Sequence, residues 1–514
     1  MIKNLIKGIL IAILVSNNGL LDAQTFSLNC NNEQIPVYEQ NDVDYTYKLN
    51  SYKYSQLIYN GKPLEISISI KGFNVGFNDW EISPKSYKVS GVLENNKLRF
   101  IIDRSGYFVI RFAKNQEFEK RIVIFVDIPS PLPKGKIIDI TKEYAVDNTG
   151  KTNETSKIQN ALNDISGKDE VLYFPSGVYS TSMLKIKSNS KIHFAQGARL
   201  LANTSSMIPY FDNSGEGTNR FIYIHDSKNI KITGLGGFDG NGTFFRGVLK
   251  ADEYKGENSM RLLYIINSQN IVFDGILLKD PSRWNTQMVG CKNITFNHCK
   301  MMNNPNTNTL LSNFDGWDPD ASQDILIENS FGWAGDDNVA IKCVGKSTPK
   351  ILDDVKDITI RNCVFLTKKT SLKIGTETRC GNIKRILFEN NDIIESDRAM
   401  AIDVQDKAFV NDVLFKNNRV EYYYPDAQRK GININLSKRS SSQNTVGKIQ
   451  HVRFVDCTFE QNFPNGFRIY RDPKYTISSD VDVSFEHVKI AGVEVKSLEE
   501  LYFEKKTNCL IQFK

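Results

Sequence analysis

The stretch "NFDGWDPDASQDILIENSFGWAGDDNVAIK", Asn313 to Lys342, holds Asp315 and then the adjacent pair Asp336 and Asp337. Carboxylates brought together repel, so at least one of them holds its proton more tightly. Two kinds of chemistry use such a group. A glycosidase needs one carboxylic acid to protonate the leaving oxygen and a carboxylate opposite to activate water. A calcium site needs several acidic oxygens around one hard cation. Either use requires that the 21 residues from Asp315 to Asp336 bring the carboxylates to one place.

A short repeat meets that requirement. The pattern polar–Asn/Asp–Ile/Val–x–aliphatic/Phe–x–polar recurs as "KNIKITG", "QNIVFDG", "KNITFNH", "QDILIEN", "KDITIRN", "KRILFEN" and "NDVLFKN", with "QHVRFVD" as a looser copy. The second residue of each falls at 229, 270, 293, 324, 357, 385, 412 and 451. Each copy alternates with period two, as a strand does. None can bury its apolar face alone, so neighbours must stack. A constant strand with gaps of 23 to 41 residues predicts a parallel β-helix, whose loops absorb the length changes. Twenty-one residues is about one coil of such a helix, so Asp315 is expected beside Asp336 and Asp337 on one wall.

The same stacking gives other side chains a structural reading. Asn362, Asn390, Asn417 and Asp456 each end a copy and are expected to form a polar ladder. Cys299, Cys363 and Cys457 occupy one place in the repeat, which predicts stacked, buried thiols rather than bridges. The eight cysteines include no CxxC pair and the five histidines are dispersed, so neither a metal site nor a cofactor is expected.

Outside the repeats, Lys3 and Lys7, the apolar core "ILIAILV" and a cleavage site after Ala23 read as a signal peptide over 1–23. The apolar run is too short to span a bilayer, and an exported chain without a membrane span is expected. The formal charge is +6, with basic residues scattered, which excludes nucleic acid as the partner. Residues 24–130 alternate in short runs separated by turn signals such as "ENN", the pattern of a small antiparallel β-sandwich. A proline-rich linker, "DIPSPLPKGK", leads into the β-helix over 131–514. In "KTNETSKIQNALNDIS", Thr155 is expected to cap a helix that buries Ile158, Ala161, Leu162 and Ile165.

Several motifs, in order, resemble glycoside hydrolase family 28, the polygalacturonases. "GLGGFDGNG" is similar to its "GxGxIDGxG", "DPSRWN" to its "SPxWN", "NFDGWDPD" to its "NTDGxDxx", "GDDNVAIK" to its "GDDCIAIK" and "SLKIGTE" to its "GLSIGS". The resemblance covers about residues 137–460. It implies an inverting hydrolase on a right-handed parallel β-helix, with a polysaccharide or oligosaccharide as substrate. Asp336 matches the general acid, and Asp315 and Asp337 the pair that activates water. Two positions depart from the pattern. Thr370 stands where the family has a histidine, and Ala401 and Asp403 stand where its "RIK" meets the galacturonate carboxylate. The related family 49 of dextranase and isopullulanase shares the helix, the aspartates and an N-terminal sandwich, and lacks "RIK". The expected substrate is therefore a neutral glycan such as an α-glucan. The alternatives are a polygalacturonase-type pectin hydrolase, a β-helix lyase or a non-catalytic glycan-binding solenoid. Trp284 and Trp317 are candidates for stacking on sugars, and Lys342, Lys373, Arg398, Thr370 and Asp403 for lining the cleft.

Overall fold

The eight copies of the repeat form eight consecutive strands of one parallel sheet. That sheet has thirteen strands, from Lys136–Asp139 to Leu510–Phe513, so three strands before the copies and two after them carry no legible repeat. In register, Ile230, Ile271, Ile294, Ile325, Ile358, Ile386, Val413 and Val452 form one inward column. Two residues on, Phe388, Phe415 and Phe454 stack at 4.7 Å between centroids, nearly parallel. Such offset aromatic stacks add to the burial of their area.

The computed structural model describes residues 26–43, 49–70, 80–112, 121–204, 219–247, 260–303, 313–345, 354–423, 430–439, 445–463, 466–497, 503–506 and 509–514. The segment read as a signal peptide lies outside these. Among the described residues no helix is long and apolar enough to cross a membrane.

The polar letters of the repeat have a backbone cause. Asn229, Asn270, Asn293, Asp324, Asp357, Arg385, Asp412 and His451 all adopt φ between 52° and 59°. Asn and Asp tolerate this left-handed region best among residues with a side chain. Asn362, Asn390 and Asn417, at the strand ends, do the same. They also form the expected ladder: Asn390 donates to Asn362 at 2.7 Å and Asn417 to Asn390 at 3.1 Å. One residue further on, Cys299, Cys363 and Cys457 are buried and unpaired. Burial pushes their thiols up to about 12, and they face backbone carbonyls such as Phe415 O at 3.4 Å from Cys457 Sγ.

Two more sheets, of twelve and eleven strands, complete each coil of the right-handed β-helix. The eleven-stranded third wall carries the acids. Its strands include Met260–Ile266, Thr286–Val289, Trp317–Asp320, Val339–Cys343, Thr370–Thr378 and Arg398–Val404. Leu263, Thr286, Trp317, Val339, Leu372 and Met400 are paired in one inward column. The alternate residues face the other side: Gln287, Asp318, Lys373 and Ala401 in one row, Asp320, Lys342 and Asp403 in the next.

The helix before the repeats spans Thr155–Asp164 and buries Ile158, Ala161 and Leu162 as expected. Glu154, not Thr155, is its N-cap. The Thr155 hydroxyl instead accepts from the Ser182 N–H at 2.7 Å, which ties the helix to the neighbouring coil.

The chain divides into two compact units, the first comprising residues up to Pro129 with Thr243–Asp252. The first unit is a sandwich of two five-stranded sheets. Strands such as Leu64–Ile70 and Lys97–Ile102 alternate buried and exposed residues. Asn95 and Asn96, with φ of 50° and 61°, make the two-residue hairpin turn that "ENN" signals. One sheet is mixed rather than antiparallel, because Arg121–Asp127 pairs parallel with Leu49–Ile58.

Candidate active site

Pairing in the third wall sets the neighbours of the acids. Two residues before the paired inward residues stand Arg261, Trp284, Asp315, Asp337, Thr370 and Arg398, at the edge where the chain enters the wall. The backbone confirms this register: Asn285 N donates to Asp315 O at 2.9 Å, Gly316 N to Asp337 O at 2.8 Å and Asn338 N to Thr370 O at 2.9 Å. Asp315 and Asp337 are therefore one coil apart, about 4.8 Å along the axis. Asp336 lies beside both, its N–H donating to Phe314 O at 3.2 Å. Only glycine fits between them at 316, since a Cβ there would meet Met301 Cε at 2.2 Å and Asn338 O at 2.4 Å.

A network of amides holds the two turns. Asn303 Nδ2 donates to the carbonyls of Phe314 and Asp315, and Asn285 Nδ2 donates to Asn303 Oδ1 at 2.7 Å. Asn338 accepts from Ala334 N at 3.0 Å and donates to Leu366 O at 2.9 Å, which fixes the bend after Asp336 and Asp337.

Two lysines rise from the outer rows to meet the acids. The Lys342 ammonium contacts Asp315 Oδ2 closely and Asp318 Oδ2 at 3.2 Å. Lys373 Nζ lies 2.6 Å from Asp337 Oδ2, and Thr370 N donates to Asp337 Oδ1 at 3.1 Å. Burial would raise Asp337, but Lys373 and Arg398 outweigh it and hold the carboxyl at about 2. Burial raises Asp315, Lys342 opposes that, and Asp336 and Asp337 add to it; the result is about 7. Asp318 is fully buried, and burial lifts it well above the ordinary carboxylate range despite Lys342. One ammonium thus serves two buried carboxylates, so the pair retains a proton. Among the described residues no lysine lies within ion-pairing distance of Asp336, though Lys373 feels its charge; Asp336 Oδ2 accepts from Asn313 N at 3.0 Å. Asp315 and Asp337 are each already paired with an ammonium, which favours acid–base chemistry over a cation site.

The structure brings Asp315, Asp336, Asp337, Lys342, Lys373, Thr370 and Arg398 together as one group. Lys342 and Lys373 are committed to carboxylates rather than presented to a sugar. Thr370 acts through its N–H, its hydroxyl being buried without a partner. Trp317 is a correction. It is fully buried in the inward column, with its ring against Phe296 at 6.2 Å. The period of two places it with Val339 and Leu372, so it has no face for a sugar. Trp284 has the Lys342 ammonium 4.0 Å over its ring and holds a cation of the site. Asp403 is tied down by Asn435 at 2.6 Å and Gln405 at 3.0 Å. Sequence reading missed Asp318 and Asp320, which follow Asp315 by three and five residues within a motif already singled out. It also missed Asn285, Asn303 and Asn338, whose bonds reach across coils and leave no local signal.

The glycosyl hydrolases family 28 model matches residues 168–461. An endo-polygalacturonase of Pectobacterium carotovorum subsp. carotovorum is 29% identical over 257 residues, 44% of this chain and 58% of that one. The chain spans about half the length of the curated relatives it matches. The family 28 exopolygalacturonase of Yersinia enterocolitica superposes with a TM-score of 0.58 at 16% identity, over 88% of this chain and 96% of that one. Dex49A from Penicillium minioluteum does so with a TM-score of 0.61 at 12% identity, over 96% and 94%. Both share the fold. Sequence separates the two families that the motifs resemble: the matching model is that of family 28. With that model spanning more than half of its residues, the chain belongs to glycosyl hydrolases family 28.

Proposed function

We propose that the chain hydrolyses the glycosidic bonds of a uronate polysaccharide, as polygalacturonases do, with inversion at the anomeric carbon. The observation that carries this reading is the seating of Asp315 and Asp337 on adjacent coils with Asp336 beside them. Asp336, which has no ion pair among the described residues, is the general acid. Asp315 and Asp337 hold the attacking water, each oriented by its ammonium. Positive charge supports a uronate. Arg398 has a buried Nε without a hydrogen-bond partner and lies close enough to Asp337 to hold its proton off. A cation is therefore available to a sugar carboxylate even though Ala401 and Asp403 replace the family's basic pair. An activity of this kind suits an exported chain, which the signal-peptide reading of residues 1–23 provides.

The test is a product assay on polygalacturonate. New reducing ends without absorbance from a conjugated double bond are the expected result. Conjugated product indicates a lyase, and no product at all a binding solenoid.

The pH profile gives a second test. Asp315 must be ionised to activate water, so kcat/KM should rise with pH through the ionisation of Asp315, near 7. Lys342 lowers that value. Lys342→Met should move the acid limb to higher pH while the fold survives, as followed by circular dichroism. A limb that stays put would remove Asp315 from the water-activating role.

A further inference from the structure

Arg261 stands in the same column as the acids, two coils before Asp315 and so about 10 Å away along the axis. It is only 7% exposed. Among the described residues it has no ion pair, and its Nε and Nη1 are buried without hydrogen-bond partners. Leaving a charged group in this state is costly unless something pairs with it. Its guanidinium lies over two rings, 5.1 Å from the centroid of Tyr264 and 4.9 Å from that of Trp284. The rings hold it by cation–π attraction but satisfy none of its N–H groups. Arg220 is in register one coil earlier, so the nearest column neighbour on that side is a like charge. Burial, with Arg283 adding to it, draws the Arg261 pKa down to about 10, and Asp318 and Asp320 act against that. The mechanism proposed above makes no use of this group.

We infer that Arg261, seated on Trp284 and Tyr264, is a subsite that binds the carboxylate of a second uronate unit of the bound chain. This rests on the uronate reading of the substrate. Trp284 links the subsite to the acids, because its ring also carries the Lys342 ammonium that holds Asp315. Arg398 lies on the other side of the acids, two coils beyond Asp337. A chain laid along the helix axis thus meets a guanidinium on each side of the bond to be cleaved. A fork of N–H donors suits a planar carboxylate, which a lysine ammonium matches less well.

The experiment compares free-acid and methyl-esterified oligogalacturonates. Binding is read by calorimetry in the Asp336→Asn protein, and KM and kcat in the otherwise native one. Arg261→Met should weaken binding of the free acid by about 10- to 100-fold, the range for hydrogen bonds to charged groups. Binding of the methyl ester should change little, and KM should rise more than kcat falls. Arg261→Lys should recover part of the loss and confirms that the site folds with a cation there. Equal losses for acid and ester, or no loss for the acid, would overturn the subsite while leaving the uronate reading intact. A native protein that neither binds nor cleaves the acid oligomers would overturn that reading and the subsite with it.

Discussion

Asp336→Asn should lower hydrolysis by about 10²–10⁴-fold, the usual contribution of one acid–base group, and leave the fold unchanged. The fold should survive because little of it depends on the Asp336 side chain. The side chain is only half-buried, and its Oδ2 accepts a single hydrogen bond, from Asn313 N. An asparagine retains an acceptor there. The other local bonds use the backbone: the Asp336 carbonyl accepts from the Thr367 hydroxyl and its N–H donates to Phe314 O. What asparagine lacks is the proton for the leaving oxygen. The loss should therefore depend on the leaving group. A natural glycan, whose leaving alkoxide must be protonated, should show the full effect. An aryl glycoside with an acidic phenol should show much less. The native enzyme should release a first product of inverted anomeric configuration by NMR, because water attacks from the side of Asp315 and Asp337. Near-normal turnover of the glycan by Asp336→Asn, or a retained configuration, would falsify the assignment.

How far the sequence led can be seen residue by residue. The parallel helix was legible because eight strands repeat one pattern, and that pattern is dictated by backbone conformation. A left-handed φ before and after each strand restricts those places largely to Asn and Asp, which stand out in a sequence. The juxtaposition of Asp315 with Asp336 and Asp337 followed from coil length alone. The roles of Trp317, Lys342 and Lys373 did not follow, since each depends on side-chain direction. Trp317 was a candidate for stacking on sugars. Its place is set by register with Thr286 and Val339, and no short window of sequence shows register. The lysines looked like sugar contacts because they lie on the right wall. Their partners lie 27 and 36 residues away. The proposed uronate substrate departs, for a related reason, from the neutral glycan that the motifs suggested. Losing "RIK" removes two charges from one motif, whereas Arg398 and Arg261 supply charge from other coils.

Breaking the Asp337–Lys373 pair should be the largest stability effect of any single change at the site. Asp337 is 2% exposed and Lys373 8% exposed, so Lys373→Met leaves a carboxylate buried with only the more distant Arg398 and Lys342 as cations. Removing one partner of a buried pair costs about 3–5 kcal/mol, seen as a lower urea midpoint at pH 7. The pH dependence should weaken. In the native protein Asp337 lies below its unfolded value, about 3.9. The unfolded chain therefore binds more protons, and the stability that the pair confers is lost as pH falls from about 4 toward 2. In Lys373→Met, burial, the largest influence on Asp337, is no longer opposed by the ammonium. The folded variant should then hold the proton more tightly than the native protein does, and lose less stability on acidification. The difference between the two proteins should thus narrow as pH drops. Asp337→Asn combined with Lys373→Met removes both charges, and the asparagine side chain can still accept from Thr370 N. That double variant should recover most of the lost stability and none of the hydrolysis. A double variant no more stable than Lys373→Met alone would show that the lysine stem, rather than the charge pair, holds this part of the wall.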